Sequence, residues 1–317
     1  MTDVPQKTAT RAAYGKALVR LGEENPDVVV LDADLSKSTK TDGFAKRFPE
    51  RFFQMGIAEA DMMGTAAGLA ASGKIPFAST FAIFASGRAF DQVRQTAGYG
   101  KLNVKIGASH GGITVGEDGA SHQSIEDLAL MRVIPGMTVI VPADAIETEQ
   151  AVFAAACHEG PVYIRTGRSP VPVLFNESYE FEIGKAATVR DGKDVTIIAC
   201  GIMVSKSLEA AEILAEKGIS ARVLNMATIK PIHVDAVVKA AKETGAIVTA
   251  EEHSIIGGLG SAVCEVTGAM CPVPVERIGI RDVFGQSGTP DELMKEYSLT
   301  ADDIAQAAVR AIERIGT

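Results

Sequence analysis

The amino-acid sequence predicts an α/β protein of two domains, each a mainly parallel sheet flanked by helices. Three observations lead there. Short β-branched runs alternate with longer helical patterns along most of the chain. The alternation breaks once, near residue 170, and then resumes. A length of 317 residues also matches about two domains on the usual length prior. Strand–helix alternation favours parallel strands, because each crossover helix covers a face of the sheet.

In chain order, the first strands are expected at Asp27 to Leu31, Ile75 to Ala78, Val104 to Ala108, Thr138 to Val141 and Val162 to Arg165. Between them, Glu59 to Ser72, Phe81 to Ala97 and Ala145 to His158 read as helices. Pro170, Pro172, Asn176, Glu177 and Ser178 then interrupt the pattern without a clear period. The second series places strands at Val195 to Ala199, Ala221 to Leu224, Ala246 to Ala250 and Val275 to Ile278. Its helices are Ser205 to Lys217, Val234 to Thr244 and Leu259 to Met270. Pro290 to Tyr297 and Ala301 to Ile315 close the chain as helices, each opened by an acidic or hydroxyl cap candidate. The expected division is 1–175, a linker over 176–184, and 185–317.

With 46% hydrophobic and 22% charged residues the composition is that of an ordinary globular protein. A net charge of -9, with no basic run, argues against nucleic acid as a partner. Four cysteines without CxxC spacing imply a reduced compartment, and Met1 to Lys7 lacks the apolar core of a secretory signal, so the expected location is cytoplasmic. Lys74 and Pro76 cut the weakly charged region Met62 to Gly87, which is therefore not a membrane span.

Chemistry is expected at a few places. Between Met55 and Gly73 the only charges are Glu59 and Asp61, so a carboxyl group on a buried helix would favour a shared proton. An acid complementing the helix dipole is the plainer use of the same residue. Phe81 and Phe84, three apart, would put two rings on one helix face, either clamping a flat heterocycle or packing in the core. The stretch from His110 to Gln123 carries two histidines, Asp118 and several glycines, which let backbone approach a ligand closely. Its HisX11His spacing is not that of a zinc site, and no metal is expected on this chain. Arg11, Ser38 and Arg168 could hold an anion, with Arg165 a rival to Arg168. Glu251 to Gly260, between a strand and a helix, reads as a tight turn or an anion-binding one.

These segments occur in the order seen in the C-terminal two-thirds of transketolases, and the likeness spans essentially the whole chain. Met55-Gly56-Ile57-Ala58-Glu59 resembles the segment bearing that family's cofactor-activating glutamate. Ser79 to Phe84 resembles its aromatic clamp, and His110 through Gly116-Glu117-Asp118-Gly119-Ala120-Ser121-His122-Gln123 is similar to its substrate loop.

The resemblance implies that 1–175 is a pyrimidine-binding domain and 185–317 a transketolase C-terminal domain. Glu59 would hydrogen-bond the aminopyrimidine of thiamine diphosphate and favour its imino tautomer. Phe81 and Phe84 would pack on that ring, and Asp34 would lie beside it. His122 and Asp118 would bind donor hydroxyls, while His110, Ser38, Arg11 and Arg168 would grip the sugar phosphate. The family's Gly-Asp-Gly diphosphate segment has no counterpart here, since the Asp-Gly-Lys at 191–193 lacks the continuation. An N-terminal subunit carrying the diphosphate and Mg2+ or Ca2+ is therefore expected, in an α2β2 complex. The rivals are a 2-oxo-acid dehydrogenase beta subunit, a deoxyxylulose-phosphate-synthase-like enzyme, and a non-catalytic α/β interaction subunit.

Overall fold

The computed structural model of the chain describes residues 6–316, so the start of the chain through Pro5, where a secretory signal would begin, lies outside the described residues. The first half contributes β1 (Lys7–Ala9), β2 (Val28–Asp32), β3 (Phe52–Gln54), β4 (Ile75–Phe81), β5 (Lys105–Ser109), β6 (Thr138–Ile140), β7 (Val162–Arg165) and β8 (Pro170–Pro172). The second contributes β9 (Ala187–Arg190), β10 (Val195–Ala199), β11 (Ala221–Asn225), β12 (Thr228–Lys230), β13 (Ile247–Ser254) and β14 (Val275–Ile280).

Strands β6-β7-β5-β4-β2-β3 lie side by side and all pair parallel. Every residue of β2 and β5 is buried, as expected of parallel strands covered on both faces. Alternation along β2 divides the packing. Val28 and Val30 belong to one core with Tyr14 and Leu18 of helix Thr10–Glu24 and Val152 of helix Ala145–Cys157, whereas Val29 and Leu31 belong to another with Met62 and Ala66 of helix Glu59–Ala71. Each of the Val, Leu and Met side chains contributes roughly 1.5–3 kcal/mol when fully buried.

The second sheet runs β14-β13-β10-β11-β9, parallel except for β9 at its edge. Helix Ala301–Glu313 covers it with a strongly amphipathic stripe from Ala301 through Ile304 and Ala308 to Ala311, opened by a Thr300–Asp303 capping box. The two sheets do not divide cleanly at the linker. β12, from the second half, adds antiparallel to β6 and forms the edge of the first sheet. β1 and β8 form a separate two-stranded ribbon.

One expected element is corrected. Phe81 does not begin a helix but ends β4, because Phe81 pairs in register with Ser109 of β5. The chain then turns through widened, π-helical turns at Phe84–Arg88 and Val93–Tyr99. The first and last elements of the helical pattern over Phe81 to Ala97 are therefore a strand end and a wide turn.

Among the described residues no helix is long and apolar enough to cross a membrane. The four cysteines are all free.

Candidate functional site

Parallel topology gathers the candidate residues, since neighbouring strands all point their carboxyl ends the same way. β2 ends at Asp32 and leads into Asp34 and Ser38; β4 ends at Phe81; β5 leads into His110; β7 leads into Arg168. β3 leads to Glu59, the first residue of its helix.

A continuous chain of contacts joins most of them. Glu59 is 3% exposed, and its Oε1 accepts from Arg88 Nη1 at 3.0 Å. The Arg88 guanidinium lies over the Phe84 ring, 4.0 Å from its centroid. Phe84 stacks on Phe81 at 5.7 Å with 12° between ring planes, despite the strand boundary that separates them. The His122 ring stands edge-on to both, 5.5 Å from Phe84 and 6.3 Å from Phe81. His110 stacks on Phe81 at 3.8 Å. Its Nε2 lies 3.3 Å from Arg11 Nη1, which also donates to the Ser38 carbonyl at 2.9 Å.

The polar end of this chain is electropositive. Arg11 can only donate, so His110 Nε2 must accept, leaving Nδ1–H to donate to Ser109 Oγ at 2.9 Å. Burial, followed by Arg11, Arg168, His122 and Lys40, pushes the His110 pKa down to about 3. Burial and then Arg168 lower that of Arg11. The Arg11 Nε is buried and has no hydrogen-bond partner. Clustered cations with an unsatisfied guanidinium donor are what an anion would relieve.

Asp34 stands apart. It is exposed, adopts a left-handed φ of 63°, and is held through its N–H on Gln54 Oε1 at 2.7 Å. Its loop is organised from beneath by Asp32, which is fully buried. Asp32 Oδ1 accepts from Leu35 N at 2.6 Å, and Oδ2 accepts from Thr39 and Thr41 Oγ1 at 2.7 and 2.9 Å.

The first half of the His110–Gln123 segment is packed into the protein, whereas Glu117, Asp118, Ala120 and Ser121 are exposed. Residues 110–116 are buried, and the segment is clamped by the second half. Glu252 Oε1 accepts from Thr114 N at 2.6 Å. The buried Gln123 Nε2 donates to Gln286 O at 2.9 Å and to Ile113 O at 3.2 Å. Gly112 is required by this clamp: its φ is +87°, and a Cβ there would overlap the Glu252 carboxylate. His122 is half-buried, and Asp118 is exposed 3.8 Å from Arg168 Nη1. Arg168 also donates to Val115 O and to Glu117 at 3.3 Å.

Arg165 is occupied otherwise. It is buried against Asp127 at 3.0 Å, and its Nη2 donates to Ser124 O and Glu252 O. The turn after β13 is likewise taken. Glu251 accepts from Leu259 N at 2.7 Å and Gly260 N at 2.8 Å, so the helix Leu259–Met270 is capped by its own chain rather than left open to an anion.

Comparison with known proteins matches residues 6–173 to the transketolase pyrimidine-binding domain and residues 184–304 to the transketolase C-terminal domain. The chain belongs to the transketolase family. A 6-deoxy-6-sulfo-D-fructose transketolase subunit of a Clostridium species is 47% identical over 304 residues, covering 96% of this chain and 94% of that protein. An apulose-4-phosphate transketolase subunit from Phocaeicola vulgatus is 42% identical, covering 96% and 98%. A solved chain described as a split-gene transketolase, an inactive β4 tetramer, is 60% identical. It superposes with a TM-score of 0.92 over 97% of this chain and 99% of that one.

Transketolases are transferases that depend on thiamine diphosphate, and the corner at Glu59 fits that cofactor's aminopyrimidine. A buried carboxylate stands beside a ring face that already carries a flat, hydrogen-bonding cation, Arg88. Three residues of the site escape sequence reasoning. Arg88 follows Phe84 by four, the spacing of a stacked pair on a helix, which is a readable signal. Lys40 lies two beyond Ser38, and its only signal is that proximity. Asp32 sits at a strand end, and its role depends on hydroxyls seven and nine residues away.

Proposed function

We propose that this chain is the C-terminal subunit of a two-part transketolase that moves a two-carbon ketol group reversibly from a ketose phosphate to an aldose phosphate. The observation that carries the reading is the unbroken contact path from the buried Glu59 through Arg88, Phe84, Phe81 and His110 to Arg11. It joins a carboxylate suited to an aminopyrimidine to a cationic corner suited to a sugar phosphate.

Thiamine diphosphate, when bound, supplies the electron sink that lets a two-carbon unit leave one sugar and join another. Glu59 holds a proton on the aminopyrimidine ring, while Phe81 and Phe84 exclude water from its face. Asp34, exposed just past the end of β2, would flank the bound cofactor. His122 and Asp118 orient donor hydroxyls; Arg11, Ser38, His110 and Arg168 seat the phosphate. His110, held neutral with its ring nitrogens engaged by Arg11 and Ser109, orients the Arg11 guanidinium without adding charge. An N-terminal subunit supplies the diphosphate site and its Mg2+ or Ca2+, with paired subunits in an α2β2 assembly. Two relatives described as subunits, and a third as a split-gene product, support that division.

The test combines this chain with the N-terminal subunit, thiamine diphosphate and magnesium. Xylulose 5-phosphate plus ribose 5-phosphate should yield sedoheptulose 7-phosphate, with 6-deoxy-6-sulfofructose and apulose 4-phosphate offered as competing donors. Glu59→Gln should abolish turnover and leave assembly intact. Full activity in that variant, or pyruvate decarboxylation in place of ketol transfer, refutes the proposal.

A further inference from the structure

We propose that Arg88 is a displaceable stand-in for the cofactor's aminopyrimidine, holding Glu59 and covering Phe84 until that ring docks. The inference rests on Glu59 and Phe84 being the cofactor's partners, and it adds that their seat is filled beforehand by the chain itself.

Three features of the pair carry it. The Glu59 carboxylate is 3% exposed, and among the described residues the side chain it accepts from is that of Arg88, at 3.0 Å. The same guanidinium lies 4.0 Å over the Phe84 ring. A guanidinium and an aminopyrimidine are both flat, delocalised and edged with N–H donors, so one carboxylate and one ring face hold either in the same way. The two cannot occupy that seat together.

Arg88 is also built to leave. Its side chain is 53% exposed, so the charge passes into water rather than into another buried place. It ends the wide turn Phe84–Arg88, and at the neighbouring Gly87 an added Cβ would meet nothing within 4 Å. Space is therefore available beside that turn. Wide turns of this kind recur where a helix has a functional task.

The pair has a reason to exist without cofactor. A carboxylate buried alone is strongly destabilising, and a nearby guanidinium removes most of that cost. When the ring arrives, its contacts must replace those of Arg88. Apparent affinity is lowered by the fraction of molecules in which Arg88 still occupies the seat. Removing the arginine leaves Glu59 unsatisfied until the cofactor binds, which strengthens cofactor uptake.

The experiment titrates thiamine diphosphate calorimetrically into the complex of this chain with its N-terminal subunit and magnesium. Arg88→Ala should bind the cofactor about three- to tenfold more tightly than the parent, with Arg88→Gln between them. The same variants should melt several degrees lower without cofactor and recover most of the difference with it. Unchanged or weaker cofactor binding in Arg88→Ala, with the parent binding normally, overturns the role of Arg88 alone. A parent complex that takes up no cofactor overturns the site assignment as well. Should the alanine variant not assemble, a crystal structure of the cofactor-bound parent decides: Arg88 away from Glu59 supports displacement, and an intact 3.0 Å pair overturns it.

Discussion

His110 shows how one side chain can be tuned by its neighbours. Its imidazole is stacked on Phe81, faced by Arg11, and pushed to a pKa of about 3 by burial and surrounding cations. The folded value lies below the unfolded one, near 6.5, so between those values the unfolded chain binds more protons than the native one. Stability due to this group is therefore complete above about pH 6.5 and is lost as pH falls towards about 3, by at most about 1.4 kcal/mol per pH unit. Nitrogen-15 NMR should show the His110 ring neutral, with its proton on Nδ1, from about pH 8 to about pH 5; a titration near 6.5 would contradict it. The two arginines of the RTGR segment should separate by phenotype. Arg168→Ala should raise KM for the sugar-phosphate donor about ten- to hundredfold with a smaller change in kcat. Arg165→Ala breaks a buried pair with Asp127 and should instead cost about 3–5 kcal/mol of stability, read by urea denaturation.

At the scale of elements, the site is made by strand ends and by a segment clamped from behind. Gly112 sits where Glu252 crosses to Thr114, at a φ that side chains avoid. Gly112→Ala should lower stability by about 2–4 kcal/mol in denaturant melts and increase hydrogen exchange at Thr114. The segment's glycines and histidines mark it in the sequence as a candidate ligand region, but the burial of residues 110–116 leaves no such mark. The groups that clamp it, the Glu252 carboxylate and the Gln286 carbonyl, lie far along the chain, and the turn expected at Glu251 to Gly260 gives no sign of that contact.

Strands marked by β-branched runs are the most legible elements: Val162–Arg165 and Val195–Ala199 occur with the expected bounds. So do the helices Val234–Thr244 and Leu259–Met270. Three-residue strands such as Phe52–Gln54 and Thr228–Lys230 are too short to show a period and leave no trace in the sequence. Helix Thr10–Glu24 is absent from the expected elements although Ala13, Ala17 and Leu21 repeat at helical spacing, because two glycines weaken the signal. The aromatic pair shares a face, as its spacing implies, but does not share a helix. Strand pairing with β5, a tertiary effect, decides where Phe81 belongs.

The whole molecule is held by an exchange between its halves. β12 pairs with β6, all three of whose residues are buried, and Lys230 Nζ reaches the carbonyl of Arg132 at 2.7 Å. A fragment ending at residue 175 loses that strand and exposes the β6 edge to other chains. It should be aggregation-prone in size-exclusion chromatography and melt below the full chain. A monodisperse fragment of equal stability would show that the added strand is dispensable.

The capping of helix Leu259–Met270 by Glu251 bears on how a charged metabolite finds its way in. The positive pole of that helix is neutralised internally, so it sends out little field of its own. Under the proposed function, the draw on a sugar phosphate therefore falls to the cations gathered around His110, namely Arg11, Arg168 and Lys40.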